Sequence, residues 1–202
     1  MASTSFPTVA AYLERLPDGI ASYPECRAKA SLVSGILESR PIDAEHANLP
    51  RRVVELVEAP PPISSWVLET EFCAVALAIY DVHFQTLGRD AFVQWIYEFN
   101  SELFAAPLYR ILYAFLSPAR LLKLSASRWH AFHRGTTLTV VESDRQRASL
   151  RIDFPPHLFH PHMLHGFLAA WRAAAAACGA KRCHADVERI TASRAEYQIV
   201  WE

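Results

Sequence analysis

Thr136-Thr137-Leu138-Thr139-Val140-Val141-Glu142, a polar break at Ser143-Asp144-Arg145-Gln146-Arg147, then Ala148-Ser149-Leu150-Arg151-Ile152-Asp153-Phe154: this stretch decides the fold. Apolar and polar residues alternate in both runs, the period of a half-buried strand. A helix from Pro161 to Cys178 follows and is stopped by Gly179. Two more alternating runs, Arg182–Ile190 and Arg194–Trp201, close the chain around Thr191-Ala192-Ser193. Strand, strand, helix, strand, strand is a small antiparallel α+β module. Its inward faces are Leu150, Ile152 and Phe154 on one strand and Ala195, Tyr197, Ile199 and Trp201 on another. They should meet Leu164, Phe167, Leu168 and Trp171 of the helix.

Everything before this module reads as helix. The expected fold is therefore α+β: a single domain, 1–202, with a multi-helix part over 1–135 and the module over 136–202. Residues 1–22 read as a short helical arm ending at Pro17-Asp18-Gly19. Pro24 can open a second helix, with Ala30, Val33, Ile36 and Leu37 as its apolar stripe. A polar loop, Pro41 to Asn48, leads to an amphipathic helix, Arg51–Glu58. Pro60-Pro61-Pro62 holds an extended conformation, as a linker or, the preferred reading, a rigid turn. Ser64 or Ser65 can cap a long helix from about Trp66 to Phe84. Asp90 can cap Ala91–Phe104, Pro107 opens Leu108–Leu116, and Ser117-Pro118 restarts a helix that continues in some form to His133. Gly135 ends the helical part.

The bulk numbers exclude several classes of function. A chain of 202 residues can bury a core without staples. With 20 Lys and Arg against 21 Asp and Glu the net charge is −1 and no basic run exceeds two residues, which argues against nucleic acid as the main partner. The longest apolar run, Cys73 to Tyr80, is far short of the ~20 residues that span a bilayer. Met-Ala-Ser-Thr-Ser-Phe-Pro has neither the basic nor the apolar region of a signal peptide, so a cytoplasmic protein is expected. None of the four cysteines forms a CxxC pair; a bridge between Cys178 and Cys183 is conceivable.

An ordered series of short segments carries a family resemblance over about residues 30–202. They are Ser65-Trp66, Leu87-Gly88-Arg89, Ser101-Glu102-Leu103-Phe104, Pro107-Leu108-Tyr109-Arg110, Ser117-Pro118-Ala119-Arg120-Leu121-Leu122, Arg128-Trp129, Arg134-Gly135, and the closing Tyr197 and Trp201. Together they resemble a bacterial family of uncharacterised function that is paralogue-rich in gliding bacteria. The terminal module is also similar to the α+β half of heme-NO-binding and four-vinyl-reductase-type domains. That resemblance implies a small hydrophobic ligand, such as a porphyrin, held between helices and sheet. The heme-binding type needs an axial histidine and a Tyr-x-Ser-x-Arg clamp, and the clamp is absent. The four-vinyl-reductase type carries a Gly-Asp-x-x-Cys-like segment where this chain has Arg189-Ile190-Thr191-Ala192-Ser193-Arg194. The cofactor is thus left unknown, with heme unsupported by motifs.

Three constellations could carry chemistry. His157, His160, His162 and His165 lie within nine residues, and imidazole is a common ligand for zinc, copper and nickel. His160, His162 and His165 are the candidate metal ligands; the bland alternative is a solvated loop at a helix start. His130 and His133, with Arg128, Trp129 and Arg134, form a cationic, aromatic edge that could hold a carboxylate or phosphate, unless Trp129 is simply a core anchor. His83 near Asp81, facing Tyr97, Glu98 and Asn100, could make a polar pocket between helices. No nucleophile elbow, phosphate loop or dinucleotide fingerprint is present. The expected function is a non-enzymatic sensor or regulatory module that binds a small apolar ligand or a partner protein between helical cap and sheet. Trp66, His83, Trp95, Tyr109, Trp129 and His130 are the candidate lining. If those aromatics are core instead, the cleft is filled and a partner surface is the mode. The alternative is a metal-binding protein or metal-dependent enzyme built on the histidine cluster. An exposed last strand would allow a homo-oligomer.

Overall fold

The computed structural model describes residues 6–43, 49–113 and 115–202, with only the backbone of 108, 110 and 112. The terminal module forms as its alternation requires: β4 (Thr137–Ser143), β5 (Arg147–Asp153), α8 (Pro161–Ala177), β6 (His184–Ile190) and β7 (Arg194–Val200). The strands make an antiparallel sheet in the order β4-β5-β7-β6. Leu150 pairs with Tyr197 and Ile152 with Ala195, so the inward faces coincide as the pattern demands. Leu150, Ile152, Leu164, Tyr197 and Ile199 are all buried. Each such side chain contributes roughly 1.5–3 kcal/mol, so this seam dominates the module. Tyr197 meets Trp171 edge to face at 5.2 Å.

The order corrects one expectation. The last strand, β7, is central, and the edges are β4 and β6. An exposed last strand therefore offers no argument for self-association. Chain order is not strand order in a sheet closed by a crossover helix, and alternation alone does not say which strand sits at an edge.

The earlier part holds α1 (Pro7–Glu14), β1 (Arg27–Lys29), α2 (Ala30–Ser39), α3 (Arg51–Glu58), β2 (Trp66–Leu68), α4 (Glu69–His83), α5 (Arg89–Ala105), α6 (Pro107–Tyr113), α7 (Pro118–Arg128) and β3 (His133–Arg134). The helix expected from Pro24 starts only at Ala30, and the one expected from Trp66 only at Glu69. The stretches before them are strands, as is His133-Arg134, where helix was expected. The three form a second antiparallel sheet, β2-β1-β3. Two or three residues are too few for alternation to register in the sequence, and these come from segments far apart along the chain. The start of α4 is fixed by Glu71, whose Oε2 accepts the Leu68 N–H at 2.9 Å, rather than by a serine. Likewise α5 is capped by Gly88, with φ of +85°, and Asp90 lies in its first turn. The Pro41–Asn48 loop falls largely outside the described residues, as does the start of the N-terminal arm.

α4 is the central element. Nearly all of it is buried, as befits a helix apolar on every side. α1 is fastened to it by Asp81, whose carboxylate accepts the backbone N–H groups of Thr8 and Val9 at 3.0 and 3.2 Å. α5 runs along α8, with Ile96 seated over Gly166. The buried core runs without a break from Phe6 to Trp201 and unites the helices with the four-stranded sheet. A small satellite joins Tyr113, Leu121 and Ala174, with Tyr109 packed against it. The four cysteines are free thiols, including Cys178 and Cys183.

Candidate functional site

The three-stranded sheet has two chemically opposite faces, and the candidate site is built on them. Register sets the division. Ala28 opposes Val67 and His133, while Lys29 opposes Trp66 and Arg27 opposes Arg134. Opposed residues of an antiparallel pair share a face and neighbours along a strand alternate. Ala28, Val67 and His133 therefore enter the core, whereas Arg27, Lys29, Trp66 and Arg134 face outward.

On the inner face, His133 meets Glu69, the first residue of α4. Nδ1 lies 3.1 Å from both carboxylate oxygens. The Glu69 side chain is 0% exposed and that of His133 is 6% exposed, so the pair is out of water. An ionised carboxylate only accepts, which puts the shared proton on Nδ1. The positive end of α4 adds support for the carboxylate. The imidazole stacks on Trp129, centroids 4.1 Å apart, and Phe167 meets it edge-on at 5.4 Å. Phe159 packs on Phe167 at 5.1 Å, and Trp171 closes toward Tyr197 of the sheet. Trp129 is oriented by its own Nε1–H, which donates to Thr136 Oγ1 at 2.9 Å. One turn beyond Glu69, burial drives the Cys73 thiol well above its usual range. Tyr12 is raised by burial too, and its Oη donates to the Leu158 carbonyl at 2.7 Å. These are protonated, unreactive groups. Tyr197 Oη is buried and has no hydrogen-bond partner among the described residues.

The space between helical part and sheet is thus packed with rings. One open depression lies elsewhere, along Glu142, Ser143, Asp144 and Arg147. Sites for drug-sized ligands are concave and run to roughly 300–1,000 Å³. A heme, which the resemblance to heme-NO-binding domains implies, does not fit the residues present. His133, which reaches that region, has its Nδ1 engaged by Glu69 and its face covered by Trp129.

On the outer face, Trp66 is half-buried between two cations. The Arg134 guanidinium carbon lies 3.9 Å from the ring centroid and Lys29 Nζ 4.7 Å from it. Lys29 Nζ also donates to the Ser64 carbonyl at 2.6 Å. Among the described residues Arg27, Lys29 and Arg134 have no acidic partner, while Glu71, Glu142, Asp153 and Glu202 each take an arginine elsewhere.

The six residues expected to line one pocket are dispersed. Trp66 lies on the outer sheet face. Trp95 is buried with Phe84 and Phe92, and its Nε1–H donates to Ser39 Oγ at 3.0 Å. His83 meets the Pro41 carbonyl, Tyr109 packs on Phe104 and Tyr113, and His130 is exposed. Trp129 alone reaches the interior cluster. Of the cationic edge read around it, Trp129 and His133 turn inward and Arg134 outward. Glu69, Lys29 and Arg27 were missed: their pairing runs through strands too short to see in sequence.

The histidines near α8 do not form a ligand set. Among the described residues no three His, Cys, Asp or Glu side chains converge on one point. His160 caps α8 by accepting the His162 N–H through Nδ1. His162 lies on Tyr80, centroids 4.2 Å apart, and His165 faces Arg89 at 3.4 Å. Burial lowers the His160 and His162 rings to about 4, helped by the positive neighbours His162 and Arg15 in the first case and Arg89 and His165 in the second.

No protein-family profile matches the chain, and no curated protein matches it. Solved structures do. An Fe(II) unliganded H-NOX protein from K. algicida aligns with a TM-score of 0.52 at 12% identity, over 98% of this chain and 96% of its own. A point mutant of that protein gives 0.53 at 10% identity, over 86% of this chain and 96% of its own. At this identity the likeness establishes the fold, which is distantly H-NOX-like. Among the described residues no helix is long and apolar enough to cross a membrane.

Proposed function

We propose that this chain is a non-enzymatic regulatory module of H-NOX-like architecture that acts by binding a partner protein. The observation that carries it is the ring packing of His133, Trp129, Phe167 and Phe159, which occupies the interior between helices and sheet. With that space taken by the protein's own side chains, surface recognition is the mode left to such a module. The outward faces, not the interior, then specify what it reads. The absence of an activated nucleophile supports a binding role: the buried thiols are held protonated, and no nucleophile elbow stands in the sequence.

The test is native mass spectrometry of untagged protein. The expected spectrum is the bare polypeptide mass. Retained mass of about one organic molecule per chain would overturn the reading in favour of a small apolar ligand. Stoichiometric metal that disappears in the triple variant His160→Ala, His162→Ala, His165→Ala would overturn it in favour of a metal protein.

A further inference from the structure

We infer that the outer face of the β2-β1-β3 sheet is the docking surface for this module, and that it takes an acidic segment of a partner protein. The inference rests on the partner-binding reading above and supplies its location and chemistry. Arg27 and Lys29 of β1 and Arg134 of β3 project from one face of the sheet, beside Trp66 of β2. Among the described residues none of them is neutralised by a carboxylate, in a chain whose acidic residues outnumber its basic ones. Three unpaired cations on one small face is the complement of a negatively charged segment. An isolated surface cation is ordinary, but here two of the three are held in place. Lys29 is tied to the Ser64 carbonyl and Arg134 lies flat on the Trp66 ring, so less side-chain freedom is lost on binding.

The apolar residues on this surface fix the class of occupant. Trp66 carries both Lys29 and Arg134 on its ring, and its indole N–H makes no hydrogen bond among the described residues, leaving it to donate to a carboxylate. Phe132, next to β3, is 47% exposed, and Ile63, in the turn that leads into β2, is 66% exposed. Phe132 is bound to β1 through its carbonyl, which accepts the Lys29 N–H at 2.8 Å. Tryptophan and arginine are the residues that concentrate binding energy at protein interfaces. Phosphate backbones and anionic membranes need extended basic tracks instead, and three cations interleaved with Trp66, Ile63 and Phe132 fit a peptide carrying both acidic and apolar side chains.

The experiment measures the fluorescence anisotropy of a labelled Asp/Glu-rich peptide with interspersed Leu and Phe. Binding is expected to weaken as salt rises. Reversing the face (Arg27→Glu, Lys29→Glu, Arg134→Glu) should cost about tenfold or more in Kd. A control with the same charge change elsewhere (Arg120→Glu, Lys123→Glu, Lys181→Glu) should leave Kd within about twofold. The neutral triple to glutamine, checked for an unchanged melting curve, serves if the reversed face fails to fold. Equal loss in face and control variants overturns the inference, and so does no binding at all. Tighter binding of duplex DNA or of phosphatidylserine vesicles, lost in the face variant, overturns it in favour of a phosphate-reading surface. A bare native mass with a failed peptide assay sinks this surface alone; retained ligand mass sinks the partner-binding reading itself.

Discussion

Replacing His133 with leucine tests whether the inner face is organised by the buried contact between His133 and Glu69. Leucine fills much of the imidazole volume, so the principal loss is the partner of Glu69. That carboxylate is fully buried and its contact with Nδ1 is two-pronged at 3.1 Å. Removing one member of a buried pair leaves an uncompensated charge and costs about 3–5 kcal/mol. The stack on Trp129 and the edge contact with Phe167 are lost too, at about 0.5–1.5 kcal/mol for an aromatic pair. The expected destabilisation is therefore about 4 kcal/mol, a large part of the 5–15 kcal/mol typical of a folded protein. With a urea slope of about 2–3 kcal/mol/M the unfolding midpoint falls by more than ~1 M. Glu69→Gln keeps the shape and an acceptor, and should cost about 1 kcal/mol. The decisive variant is the double Glu69→Leu, His133→Leu, which removes both polar groups. It should be more stable than His133→Leu alone, because a packed apolar pair replaces an orphaned carboxylate. Urea unfolding of the wild type, of Glu69→Leu and His133→Leu singly, and of the double gives the coupling energy. A His133→Leu cost below ~1 kcal/mol, or a double variant whose cost is the sum of the singles, would refute the reasoning.

Further expectations follow from other parts of the structure. Ile152→Asp puts a carboxylate into the sheet–helix seam where Ile152 is fully buried, and should prevent folding; a soluble variant with an unchanged melting curve would sink the assignment. Tyr197→Phe deletes a buried hydroxyl that has no partner, so it should be neutral or stabilising by about 1 kcal/mol in thermal unfolding, and a loss of more than that would mean the hydroxyl is satisfied. Gly135→Ala sets a Cβ 2.6 Å from Cys26 Sγ at a φ of +74°, and should cost about 2 kcal/mol or more by denaturant titration. His160 and His162, lowered by burial to about 4, stay neutral in the native state while the unfolded chain takes up protons near 6.5. Stability should thus be complete above about pH 6.5, fall between pH 6.5 and 4, and level off below, by a few kcal/mol in all. Asp81, raised by burial, works the other way at the acid end. Melting curves of His160→Asn, His162→Phe should be flatter across that window.

The sequence by itself determined the terminal module, because seven-residue strands alternate long enough to reveal their period and α8 shows its start and stop. Leu150, Ile152, Tyr197 and Ile199 were legible as core for that reason, as was the resemblance to heme-NO-binding domains that the fold comparison matches. The helical stripes around Val33, Val53 and Phe92 were legible for the same reason. Only the tertiary structure decided the rest. Strand order placed β7 in the centre of its sheet, which no local pattern encodes. The three-stranded sheet escaped the sequence because its strands are two or three residues long and pair only with distant segments, Lys29 with Trp66 and Ala28 with His133. The candidate site sits on that sheet, so its two faces, Glu69 with His133 inside and Arg134 over Trp66 outside, became visible only once distant segments were paired.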